Sequence, residues 1–424
     1  MKIIFGVIIT VFVVIGLMYI THICPPSGPW PMPPWCSVKI LDLKWIDSVE
    51  SNNSKLKGKL GIEMLDTWGR NYNFSMVENT RDNIESSFSR LEKIGAKEVV
   101  VNDFYRAVYA DKQYDLNDTN YKIDREVFLN DFRDESMTDE DLSLLSKTAK
   151  KHGLKIIWRT SFHFWDIGKY IKIGVNINDE VKKDFASFNQ PKNKEWVIDF
   201  LDKYQKLMVD RAKKLNEYGF DSMILTPGYM TPNFQPHEDI ANEKWKEIYK
   251  EVKKEFKGNV GYLVSDYAFV EGVNDIKWQN NNNYWRDMDE VWLAFYELPN
   301  KYKNTNGAFD KYLIDLKNGI NQNDKNISLI FRVNSYDNSI NNGLVELLDI
   351  NNPVVKALNA NQQYQSEYVT KFFNWAKDNE KINKIFVTGY WWDDKMDPEV
   401  KVPISKSGSI RNKDAEKEFL RWAK

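Results

Sequence analysis

Cysteine is almost missing from this chain: two residues in 424, Cys24 and Cys36, both inside one proline-rich stretch. Beyond Cys36 no thiol remains for a nucleophile, a cysteine-ligated zinc or a disulfide-stapled core. Histidine is nearly as scarce. His22, His152, His163 and His237 fall in no HxH or HExxH spacing, so no catalytic metal is expected. No GxSxG elbow is present for a serine hydrolase. No GxGxxG or GxxxxGK[ST] loop follows an apolar run, which argues against a nucleotide-binding open sheet. No cofactor is expected. An excess of one charge is also lacking: formal net charge is −2 and pI about 6.2, with lysines and acids interspersed. That reads as a solvated surface and excludes nucleic acid as the expected partner.

Long apolar runs occur only at the start, where Ile3 to Ile20 carry no charge. Eighteen residues meet the lower limit for crossing hydrocarbon. Residues 1–23 therefore read as a transmembrane anchor, with a signal peptide as the alternative. A small-residue cleavage site is not obvious, which favours the anchor. Lys2 precedes the run and the next lysine is Lys39, so positive-inside logic places the remainder outside the cytoplasm. The expected location is the cell membrane, single-pass, with the C-terminal domain outside. Residues 24–56 form a spacer stiffened by CPPSGPWPMPPWC. An outside location permits a disulfide between Cys24 and Cys36; two free thiols, or lipid on Cys24, remain alternatives.

What the rest of the chain has is a recurring unit: amphipathic helix, glycine, strand. It reads LEKIGAKEVVVNDF from Leu91, AKKHGLKIIWRTSFHF from Ala149, LNEYGFDSMILTPGY from Leu215 and KKEFKGNVGYLVSDY from Lys253. Gly95, Gly153, Gly219 and Gly258 stand where helix C-termini favour a left-handed residue. Repeated helix-to-strand connections build a parallel sheet. Eight strands are expected, near Leu60–Leu65, Glu98–Asn102, Lys155–Thr160, Asp221–Thr226, Val260–Ser265, Asp289–Tyr296, Ile327–Val333 and Lys384–Thr388. With helices between them, residues 57–424 are expected to fold as a single (β/α)8 TIM barrel, whose chemistry belongs at the strand C-termini.

From about Lys57 onward the order of features resembles glycoside hydrolase family 113, the β-mannanase-like clan A barrels. The matching segments are MTDEDLSLLSKTAKKHGLKI, YGFDSMIL, EKWKEIYKEVKKEFKGNVGYLV, WRDMDEVWLAFYELP, QQYQSEYVTKFFNWA, GYWWDD and the closing SGSIRNKDAEKEFLRW. The resemblance implies an acid/base glutamate at the tip of the fourth strand and a nucleophile glutamate at the tip of the seventh, about 5–5.5 Å apart in a retaining enzyme. Those positions read Gly228 and Val333. Neither residue can move a proton or attack a sugar.

Glu297, Asp393 and Asp103 are the candidate relocated catalytic carboxylates. A glycan-holding cleft is expected from Trp391 and Trp392, where clan A barrels present an aromatic platform, with Trp68, Tyr229 and Tyr296 as further strand-tip aromatics. Asp103, Arg106, His163, Glu297, Arg332, Asn334 and Asp393 are its expected polar wall, with Arg159 as a further donor. The expected function is a membrane-anchored, extracytoplasmic, non-catalytic barrel that binds a polysaccharide or cell-surface glycan. The alternatives are an active hydrolase of a β-linked polysaccharide using relocated carboxylates, and a structural surface scaffold.

Overall fold

The computed structural model describes residues 45–52, 54–64, 80–109, 119–125, 137–163, 190–226, 232–272, 284–342, 357–392 and 406–424. The chain divides into two compact units, Met1–Ser48 and Val49–Lys424. In the first, the described element is the short helix α1 (Trp45–Ser48). The apolar run Ile3 to Ile20 and both cysteines lie outside the described residues. Among the described residues, no helix is long and apolar enough to cross a membrane.

The second unit is built on β1 (Leu60–Met64), β2 (Glu98–Tyr109), β3 (Tyr121–Arg125), β4 (Lys155–His163), β5 (Ser222–Ile224), β6 (Asn259–Ser265), β7 (Glu290–Phe295), β8 (Ile327–Phe331) and β9 (Ile382–Tyr390). Eight of these run parallel in the order β1-β2-β4-β5-β6-β7-β8-β9, and β9 pairs back onto β1. The expected eight-stranded α/β barrel is therefore closed. The principal helices are α2 (Thr80–Lys93), α3 (Asp139–Lys151), α4 (Lys194–Tyr218), α5 (Glu238–Glu255), α6 (Ala308–Asn321), α7 (Gln362–Lys377) and α8 (Asp414–Ala423).

Two local expectations change. The second strand runs on to Tyr109, and its upper half pairs antiparallel with β3, in a stretch read from sequence as loop. Gly95, Gly153 and Gly219 do take positive φ, but Gly258 does not. Helix α5 instead ends at an extended Phe256. At Gly258 the constraint is space: a Cβ there would lie 2.4 Å from the Asp221 carbonyl oxygen.

Strand alternation sorts side chains between lumen and helix layer. Val100, Ile157, Ile224, Leu263, Trp292, Ala294, Ile330 and Phe386 form the apolar middle of the lumen. Trp292 and Phe386 fill much of it, with ring centroids 4.8 Å apart. Their bulk is matched by glycine. A Cβ on Gly61 would sit 2.3 Å from Phe386, and one on Gly261 would sit 2.6 Å from Trp292. Below this layer, at the strand N-termini, Lys384 Nζ lies 2.9 Å from Glu98 and 3.3 Å from Glu290. Asn259 and the Trp292 indole also donate to Glu290, at 2.8 and 3.1 Å.

Candidate ligand site at the barrel mouth

The same alternation, carried toward the strand C-termini, places a polar layer above the apolar one. Two residues beyond Gly61 on β1 comes Glu63; two beyond Val100 comes Asn102; two beyond Ile157 comes Arg159. Glu63 and Arg159 have no solvent exposure and form an ion pair through Glu63 Oε1. Asn102 Nδ2 donates to the Met64 carbonyl at 3.3 Å and to Glu63 Oε1 at 3.4 Å. Since both neighbours are acceptors, the amide orientation is set. Glu63 is the functional candidate that the sequence reading missed. Its signal was a lone glutamate inside the apolar strand LGIEM, in phase with Gly61.

Tyr296 packs half-buried against the lumen cluster, one alternation step above Ala294. It is thus an aromatic wall of the mouth. Glu297 is turned the other way and pairs with Lys303 at 2.7 Å.

Asp103 falls on the opposite side of β2 from Asn102. Its carboxylate accepts from the Met137 amide at 2.7 Å, the Tyr105 hydroxyl at 2.9 Å and the Trp158 indole at 3.1 Å. Arg211 of α4 stands 3.6 Å away. Burial raises the Asp103 pKa, and the Arg211 charge and these donors oppose it. Burial acts downward on Arg211, yet the Asp103 and Tyr105 partners hold its pKa above the ordinary value. This cluster fastens β2 to the helix layer. Asp266, at the tip of β6, likewise accepts from the Tyr312 hydroxyl of α6.

Arg332, two residues beyond Ile330, is 6% exposed. Its side chain threads between two glycines: a Cβ on Gly408 would lie 2.2 Å from Arg332 Nε, and one on Gly389 would lie 3.2 Å from the guanidinium carbon. Val333 is buried, and its carbonyl accepts from Gln365 of α7 at 2.7 Å. Asn334 is buried too, with its carbonyl bonded by Ser339 at 2.7 Å.

Gly389, at φ 83°, coincides with a shift in the β1–β9 register, where Glu63 faces Thr388 but Met64 faces Tyr390. Beyond this bulge the two tryptophans part. Trp392 packs against Phe88 of α2, the rings tilted by 32° with centroids 6.1 Å apart, while the Trp391 indole donates to Ser407 Oγ at 3.2 Å. They are 2% and 1% exposed respectively for Trp391 and Trp392. Both rings are therefore packed.

Arg106 and His163 face each other in the β2–β4 register, and nothing further is described of their side chains. Trp68, Gly228, Tyr229 and Asp393 lie outside the described residues. Among the described residues, no group of three or more His, Cys, Asp or Glu side chains could hold a metal ion.

No protein-family model matches the chain, and no curated protein matches it in sequence. Solved structures do. Two structures of a GH113 β-1,4-mannanase, one of them a complex, give TM-scores of 0.55 and 0.56 at 16% and 15% identity. They cover 85% and 87% of this chain and 99% of their own chains. The GH113 β-mannanase of Alicyclobacillus acidocaldarius, solved with ManMIm, gives 0.53 at 13% identity, over 85% of this chain and 95% of that one. At these identities the likeness establishes a shared fold: the closed eight-stranded α/β barrel expected from the sequence.

Proposed function

We propose that the barrel binds a polysaccharide or cell-surface glycan at its C-terminal mouth and does not hydrolyse it. The observation that carries this reading is the fate of the described carboxylates at that end. Asp103 and Asp266 are bonded into the helix layer, and Glu297 is held by Lys303. Glu63 is directed into the lumen, where Arg159 engages it. A retaining glycosidase needs two carboxyl groups facing each other across one bond, and the described residues supply no such pair. Binding does not need that pair, because ring stacking and hydroxyl hydrogen bonds suffice. The glycosidase-type fold and the polar upper layer support the glycan reading; fold likeness alone would not.

The uncharged run Ile3 to Ile20 and the proline-rich spacer support a membrane anchor that holds the barrel outside the cytoplasm. The test is a hydrolysis screen on β-mannan, β-glucan and xylan alongside glycan-array binding by the same protein. Binding without turnover is the expected result. Turnover that disappears in Glu297→Gln or Asp393→Asn would establish the relocated-carboxylate enzyme instead. Neither binding nor turnover would leave the scaffold reading.

A further inference from the structure

We propose that Glu63 and Asn102 form the innermost contact point for a neutral, hydroxyl-rich ligand, one hydroxyl donating to Glu63 Oε2 and another to Asn102 Oδ1. The inference rests on the glycan reading above and gives it a place and a chemistry.

Both atoms are buried acceptors that take no hydrogen bond among the described residues. Their residues are 0% and 4% exposed. Buried polar groups in folded proteins are almost always bonded, so two such acceptors side by side in one lumen call for donors. The partners already present use the other atoms: Arg159 and Asn102 Nδ2 both address Glu63 Oε1.

The lower ionic layer shows how this barrel treats a purely structural charge. There Lys384 bridges Glu98 and Glu290, and both Glu290 oxygens receive donors. In that lower layer Glu98 Oε2 also takes no hydrogen bond, but it has Lys384 Nζ 2.9 Å away. The upper layer lies at the end where barrels of this architecture admit ligands, and its two open acceptors have no such ammonium against them among the described residues.

The chemistry of the ligand follows. Two open acceptors ask for donors. Arg159 balances the Glu63 charge, so a cationic ligand is not demanded, and a ligand carboxylate would meet two acceptor oxygens. Neutral sugar hydroxyls fit, and uronic acids do not. Because neither atom reaches solvent, the contact belongs to a group that enters the lumen, such as the terminal residue of a chain.

The test is calorimetric titration of the purified full chain with β-1,4-mannotetraose and, separately, with an oligomannuronate of equal length. Wild type, Glu63→Gln and Asn102→Leu are compared after circular dichroism shows that each is folded. The expected result is binding of the neutral probe by wild type, a loss of tenfold or more in each variant, and no binding of the acidic probe. Folded variants that bind mannotetraose like wild type overturn the contact point and leave the glycan reading standing. Preference for the oligomannuronate overturns it as well. A wild type that binds neither mannotetraose nor neutral β-glucan and xylan oligosaccharides overturns the glycan reading and the contact point together. Should both variants unfold, crystals of wild type soaked in mannotetraose decide: sugar hydroxyls on the two atoms support the proposal, and an ordered water only overturns it.

Discussion

At the scale of single residues, alternation along a strand decides which of two neighbouring polar groups can meet a ligand. Asn102 and Asp103 are adjacent, yet one enters the lumen and the other is bonded to Met137, Tyr105 and Trp158. Asp266 shows what such a commitment costs. Burial pushes its pKa up to about 7, against the opposing hydrogen bond from Tyr312. The folded state therefore holds this proton more tightly than the unfolded chain does. Its contribution to stability is greatest near pH 4 and falls as pH rises toward 7, above which the ionised, desolvated carboxylate is a standing penalty. A three-unit shift sets a ceiling of about 4 kcal/mol. Asp266→Asn keeps an acceptor for Tyr312 and removes the titration. Thermal melting should show the variant more stable than wild type at pH 8 and the two converging near pH 5. An unchanged difference across that range would remove the linkage.

At the scale of elements, much of the architecture could be read from the chain. The helix–glycine–strand units located four of the eight barrel strands, β2, β4, β5 and β6, and apolar runs alone located β1, β7, β8 and β9. Strand ends were harder. In the second strand the polar pair Asn102 and Asp103 resembles a tip; in the structure one of the pair faces a polar lumen layer and the other a buried arginine. The antiparallel β3 has no strong apolar signal, since three of the five residues in its YKIDR are charged. A glutamate in a short apolar strand looks like an interruption, and only the closed barrel gives Glu63 its partner Arg159.

The Gly389 bulge was equally hidden, although it decides where Trp391 and Trp392 go. Gly389→Ala tests it. A side chain at φ 83° is strained, and its Cβ would also press on the Arg332 guanidinium at 3.2 Å. The expected loss is about 1–2 kcal/mol. Loss of the bulge would also reverse the sides taken by the two rings, so tryptophan fluorescence should shift together with the melting temperature. An alanine variant with wild-type melting and emission would mean that the bulge does not depend on glycine.

At the scale of the whole molecule, closure ties distant segments into one cooperative unit, and the lower ionic layer is where this can be measured. Lys384 joins Glu98 of β2 to Glu290 of β7, strands far apart in sequence. Burial acts to lower its pKa, but the two carboxylates outweigh that and hold it above the ordinary lysine value. By linkage, its stabilising contribution is complete at neutral pH and is lost only as pH rises beyond about 10.5. Lys384→Met removes the cation and leaves two largely buried carboxylates facing each other without it. Breaking a buried pair in this way costs about 3–5 kcal/mol. The pH dependence of the gap between the two proteins is the sharper check. Wild type loses the lysine's contribution as Lys384 deprotonates, whereas Lys384→Met has none to lose. Denaturant unfolding of wild type and Lys384→Met at pH 7, 9 and 11 measures this. A gap that is wide at pH 7 and 9 and narrower at pH 11 is expected. A gap independent of pH would mean that the layer acts through packing and not through charge, and the same measurement should show a single transition if the barrel unfolds as one unit.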